Sequence, residues 1–252
     1  MAEDSFSDNL RQTGVIMKYE IRKYFRGKKI MLFSALLVLV LVFLTVTPYI
    51  SGEGMSSDPA EVWYSYMSWV QFIVLLLATL FVSGAIVSEF EDRTALILLT
   101  KPVRRWSVFL GKVAAALAVG SAFVLVFYAA TAAVSLAATG SVASSMLTSL
   151  GLALAYTAGT AGVAVLISSA ASKFSVAAIL TFAALLMVSI LISHVLSEAS
   201  IDPWFMLDVA GGHINDCLRV DGLRVWRDAA VMLVWGLTAG AAGYLVFRRR
   251  EM

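Results

Sequence analysis

Long uncharged apolar runs alternate with short charged segments along this chain, and that alternation defines its elements. Ile30 to Thr47 carries no charge and is rich in Leu and Val, close to the roughly 20 residues that cross a bilayer as a helix. Comparable runs fall at about 69–87, 106–138, 146–170, 174–194 and 225–247. The pattern predicts an all-α membrane protein: an N-terminal stretch at 1–29, six transmembrane helices within 30–247, and a short tail at 248–252. The third run exceeds one hydrocarbon thickness unless it tilts or projects, and two short spans are the alternative.

Ahead of the first run, Leu10, Gly14, Met17, Ile21, Tyr24 and Phe25 recur at helical spacing, with Lys18, Arg22, Arg26 and Lys29 on the opposite face. This is the signature of an amphipathic interfacial helix. Its apolar face enters the acyl boundary and its cations meet the headgroups of membrane lipids. Gly27 allows the turn into the bilayer. A spanning run follows with no linker, which argues against nucleic acid as the partner of the basic cluster. The first ten residues lack the basic n-region of a signal peptide, so the first run is expected to remain in the mature protein.

Several interior residues carry their own expectations. Trp63, Tyr64, Tyr66 and Trp69 read as an interfacial aromatic belt before span 2. Gln71 fits an interhelical hydrogen bond better than a substrate contact. Lys112 is placed to snorkel to the headgroups, and it is read as the only charge within the spans. Gly151, Ala155 and Gly159 in span 4, and Gly236 and Gly240 in span 6, form small-residue stripes that permit close helix approach within one subunit or across a dimer. Between spans 5 and 6, Pro203, Trp204, Phe205, Met206 and Leu207 are apolar enough to dip into the outer leaflet, with Gly211 and Gly212 ending the short helix.

Composition and charge then set the orientation. The chain is 60% hydrophobic and 14% charged, against about 25% charged in soluble domains. With six spans and a cytoplasmic N-terminus, 16 of the 19 Lys and Arg lie inside, and only Arg219, Arg224 and Arg227 lie outside. Splitting the third run would move Lys173 and Arg248, Arg249 and Arg250 outside. The expectation is a multi-pass protein of the cell membrane with both termini cytoplasmic.

Catalytic motifs are missing. Neither Gly-Lys pair, Gly27-Lys28 or Gly111-Lys112, is followed by Ser or Thr or has the upstream glycine of a phosphate loop; HExxH and GxSxG do not occur. A single cysteine, Cys217, excludes an intrachain disulfide. It could join His194, His213 and methionines at a soft-metal site, but these residues show no ligand spacing. The want of acid pairs in the spans weakens an ion-coupled carrier.

One interior segment gathers both signs of charge, SEFEDRTALILLTKPVRRWSVFLGK at 88–112. Acidic residues open it and basic ones close it, which suits a helix dipole, and Pro102 halts the helix before span 3. Its Leu96, Ile97, Leu98 and Leu99 ridge favours burial in a partner groove or in the headgroup layer.

In the order Glu89, Glu91, Thr94, Leu98, Leu99, Pro102, Val103, Arg105, Gly111 and Lys112 the chain resembles the permease subunits of type-2 ABC exporters. Arg93 departs from the glycine usual there. The resemblance implies a cytoplasmic coupling helix between spans 2 and 3 built on Glu89, Glu91, Asp92, Arg93, Thr94, Leu98, Leu99, Pro102, Arg104 and Arg105. It also implies an elbow helix containing Met17, Lys18, Ile21, Arg22, Tyr24, Phe25 and Arg26. Outer re-entrant helices would fall at 201–223, with Pro203, Trp204, Phe205 and Met206 at the outer gate. The function it implies is a non-catalytic permease working with an ABC ATPase subunit, where ATP and Mg bind, and with a second permease copy or homologue. A membrane anchor or sensor and a secondary carrier are the other readings.

Overall fold

The computed structural model describes residues 6–52, 54–91, 105–220 and 222–250, with the side chains of 6–8, 89 and 90 left outside the description. Its described residues contain six helices long and apolar enough to cross a membrane. The interfacial helix α1 (Phe6–Arg26) ends at Gly27, whose extended backbone (φ −84°, ψ 144°) turns the chain into α2 (Lys28–Ile50).

Span 2 begins at Pro59, earlier than the apolar run near Trp69 suggests, because Asp58 caps it: its carboxylate accepts from Ala60 N–H at 2.9 Å, and Pro59 takes the first helical position. The span consists of α3 (Pro59–Met67), α4 (Val70–Leu77), a π-helical turn (Ala78–Val82) and α5 (Ser83–Glu91). Then come α6 (Arg105–Thr139), α7 (Met146–Ala170), and a fifth span of α8 (Phe174–Ala183), a π turn (Ala184–Val188) and α9 (Ser189–Glu198). A short outer helix α10 (Leu207–Asp216) precedes α11 (Val225–Arg249). The third apolar run is thus one helix of 35 residues, about 52 Å long at about 1.5 Å per residue against roughly 30 Å of hydrocarbon.

Span 2 and α7 occupy the middle of the bundle, and α2 and α8–α9 its lipid-facing edge. The aromatic residues expected as a belt divide accordingly. Trp63 and Tyr66 are fully buried, Trp63 packing on Tyr128 and Tyr66 on Phe127. The Tyr66 hydroxyl pairs with Thr45 Oγ1 at 2.7 Å. The helix starts early enough to carry these rings into the protein instead of the interface. Deeper in, Phe33, Phe81 and Phe123 pack edge-on or tilted at 4.8 to 5.9 Å between centroids.

Helices α7 and α11 come closest together, and glycine is the reason. A Cβ on Gly236 would stand 2.7 Å from Ala158 O, one on Gly159 2.8 Å from Met232 O, and one on Gly162 would run into the backbone of Gly236. The seam therefore lies within the subunit and uses Gly159, Gly162, Gly236 and Gly243, while Gly151 and Gly240 face open space. With no hydrophobic drive between helices in lipid, this backbone-to-backbone packing supplies dispersion contacts that larger residues would forbid.

Candidate functional site

Glu91 and Arg105 border the segment expected to couple to a partner. Asp92, Arg93, Thr94, Leu98, Leu99, Pro102 and Arg104 lie outside the described residues, as does the side chain of Glu89. Glu91 ends α5, exposed, with its carboxylate accepting from the Phe174 N–H at 2.9 Å. Arg105 opens α6, also exposed, and its guanidinium donates to Arg248 O at 3.1 Å. Arg250 donates to Ser169 O at 3.2 Å. These bonds bring the α7–α8 turn, the start of α6 and the end of α11 to one end of the bundle, where α1 also packs.

Helix α1 holds both helices that flank the segment. On α6, a Cβ at Gly111 would lie 2.8 Å from Ile16 Cγ2 and 3.0 Å from Thr13 O, so glycine lets α1 settle against the helix. The neighbouring Lys112 is 2% exposed and meets Glu20 Oε1 at 2.5 Å. Lys112 does not snorkel to the headgroups. An acid inside the basic helix reaches it first, and a buried cation so paired avoids the cost of standing alone in low dielectric.

On span 2 the π turn re-aims carbonyls away from the regular ladder. Tyr24 Oη donates to Phe81 O at 3.2 Å, and Lys29 Nζ lies 3.4 Å from Leu80 O and 3.5 Å over the Phe174 ring. Burial, with the Glu20 carboxylate second, pushes the Tyr24 hydroxyl well above its ordinary range. It remains a donor at every physiological pH.

Of the expected elbow residues, Met17, Ile21 and Tyr24 turn partly into the bundle, while Lys18, Arg22, Phe25 and Arg26 are exposed. Leu10 and Phe25 sit on the edge of the apolar face and point outward. The stripe facing α6 is mixed, with Asn9, Thr13 and Glu20 beside Ile16 and Met17.

At the opposite end, Pro203 and Met206 are buried and Trp204 and Phe205 exposed, all ahead of the helix proper. The short helix lies later than the apolar stretch suggests, and Gly211 and Gly212 are inside it, not at its end. Gly211 is there for close approach: a Cβ would stand 2.5 Å from Gln71 Nε2 and 2.7 Å from the Tyr156 ring. Gln71 makes the interhelical bond expected of it, donating to Asp208 O at 3.0 Å. Asp208 Oδ1 accepts from Ser189 and Ser193 at 2.8 Å each, and Ser149 donates to Ile214 O at 2.7 Å. Span 2, α7 and α9 thereby anchor α10.

One charged cluster overturns the reading of the spans as free of buried charge. Asp228, in the first turn of α11, is 0% exposed, with His213 Nδ1 at 2.7 Å from Oδ2 and Arg227 Nε donating to Oδ1 at 3.2 Å. The acid-base pair Arg227-Asp228 at the head of an apolar run was the available signal. Arg219 pairs with Glu61 and stacks 3.3 Å over the Tyr64 ring. Burial raises the pKa of the nearby Cys217 thiol, which keeps it a poor nucleophile. Among the described residues no three His, Cys, Asp or Glu converge as metal ligands.

The family model described as "ABC-2 family transporter protein" matches residues 15–252. No curated protein matches the chain.

Proposed function

The chain belongs to the ABC-2 transporter family, and from that membership we propose that it is the permease of an ATP-driven exporter, coupled through residues 89–105 to a separate ATPase subunit. Proteins of this family are the membrane components of ABC transporters and work with an ATPase. The observation that carries the finer reading is the grip of α1 on both flanks of the segment, through Tyr24 and Phe81 O on one side and Glu20 and Lys112 on the other.

In this reading, closure of the ATPases on ATP displaces the segment and with it span 2 and α6, which turn against the elbow. Span 2 links Glu91 at the basic end to Gln71, whose amide holds the backbone of Asp208 in α10, so displacement at the basic end reaches the helix at the other. ATP binding shifts the bundle only as far as it favours one arrangement over the other. Two permease copies, each with its ATPase, complete the transporter, and basic ends that face the cytoplasm fit the positive-inside distribution.

The test is co-purification with the ATPase and its turnover. Replacing Glu89, Glu91 and Arg105 together is expected to release the ATPase and abolish its stimulation; an intact complex with unchanged turnover refutes the coupling role. Cargo-stimulated turnover with accumulation across reconstituted vesicles separates an exporter from a tether.

A further inference from the structure

A groove of about 440 Å³ runs along the lipid-facing side of the bundle between α6, α7 and α11. Its floor is Ala158, Gly162 and Gly240, its walls include Leu110, Leu117 and Leu237, and none of its lining residues is charged. Leu237 is largely exposed beside it, and Gly240 has no neighbour within 4 Å where a Cβ would stand. The groove is open space beside the packed α7–α11 seam, whose Gly162 and Gly236 help to line it.

Two features give it a direction. Along α6 it extends from Trp106 to Leu117, about 16 Å at about 1.5 Å per residue, which is half of the roughly 30 Å hydrocarbon thickness and so the depth of one leaflet. Its end at Trp106 is basic. Arg105 lies one turn before Phe109 on the α6 wall and Arg248 one turn beyond Tyr244 on the α11 wall, and the Arg105 guanidinium donates to Arg248 O at 3.1 Å. Both arginines are exposed, as is Arg249.

A leaflet-deep apolar channel with guanidinium groups at headgroup level is complementary to a phospholipid of net negative charge. Guanidinium matches phosphate in both geometry and charge, and basic pockets between spanning helices are known headgroup sites. A second copy seated here by two-fold symmetry would bring the same arginines of both chains toward one another.

We propose that this groove holds one anionic phospholipid, an acyl chain between α6 and α11 and the phosphate at Arg105 and Arg248. The site requires only that the chain spans a membrane; it shares Arg105 with the proposed coupling segment, so its tests vary Gly240 and Arg248 instead.

The experiment uses the full chain with its ATPase, purified in mild detergent, delipidated, and titrated with phosphatidylglycerol or phosphatidylcholine while native mass spectra and thermal unfolding are recorded. One bound phosphatidylglycerol per chain is expected, at an apparent affinity at least tenfold above phosphatidylcholine. Gly240→Leu fills the groove and should abolish retention of either lipid; Arg248→Gln should keep a lipid but lose the tenfold preference. Equal affinity for the two lipids, undiminished binding by Gly240→Leu, a retained molecule that is not a phospholipid, or efficient cross-linking of two copies through Leu237→Cys would each overturn the proposal. ATPase retention in the Gly240→Leu complex shows that coupling and lipid binding are distinct.

Discussion

Lys112 and Glu20 show how much rests on a single pair. Lys112 lies within a spanning helix, and its counter-charge Glu20 comes from a helix 92 positions earlier in the chain. Removing one partner leaves the other charge in a low-dielectric pocket, whereas removing both leaves an apolar contact. Lys112→Met is expected to destabilise the protein by about 3 kcal/mol, and the double variant with Glu20→Met to recover most of that loss. Unfolding in detergent, arranged as a double-mutant cycle, reads the coupling; additive losses would show that the pair is incidental. The same logic applies to Asp228, which gathers His213 and Arg227. The partnership of Lys112 with Glu20, and of Asp228 with His213, was not legible in the sequence, although Arg227 beside Asp228 marked the second site. Hydropathy marks a lone charge in an apolar run but says nothing of which distant residue meets it.

At the scale of elements, what the chain discloses is periodicity and what it conceals is partnership. The apolar runs of Ile30 to Thr47 and Met146 to Ala170 announce helices because nothing else satisfies the backbone in lipid. The start of span 2 was hidden because Trp63 and Tyr66 suit both an interface and a core, and only the packing of Tyr128 and Phe127 decides between them. Small-residue stripes were visible, yet which glycines meet a neighbour was not: Gly236 does and Gly240, one turn on, does not. That difference is testable. Gly236→Leu must push α11 from the backbone of α7 and is expected to cost about 3 kcal/mol or more, while Gly240→Ala, facing open space, should change stability by less than about 1 kcal/mol. Thermal unfolding of the two side by side checks it; equal effects would place the seam elsewhere.

Across the whole molecule the charges sort by end. Glu91, Arg105, Lys173 and the arginines that close α11 share one end, and Glu61, Asp208, Arg219 and Asp228 the other. The segment proposed to couple to the ATPase stood out in the sequence as an anomaly of charge and order, and of the residues assigned to it only Glu91 and Arg105 have described side chains. A membrane-impermeant maleimide tests the orientation in a Cys217→Ser background: Ser57→Cys should react from outside intact cells and Ser172→Cys only after permeabilisation. The reverse pattern would invert the topology.

The length of α6 has a mechanical consequence. Where α1 fastens to it, at Lys112, seven residues lie toward Arg105 and 27 toward Thr139, arms of about 10 and 40 Å at about 1.5 Å per residue. Pivoted there, the rod is a lever of roughly fourfold gain, so a nudge of about 2 Å at the short arm sweeps the far tip by about 8 Å. Paired spin labels at residue 139 would therefore register a stroke that labels at 105 could barely resolve.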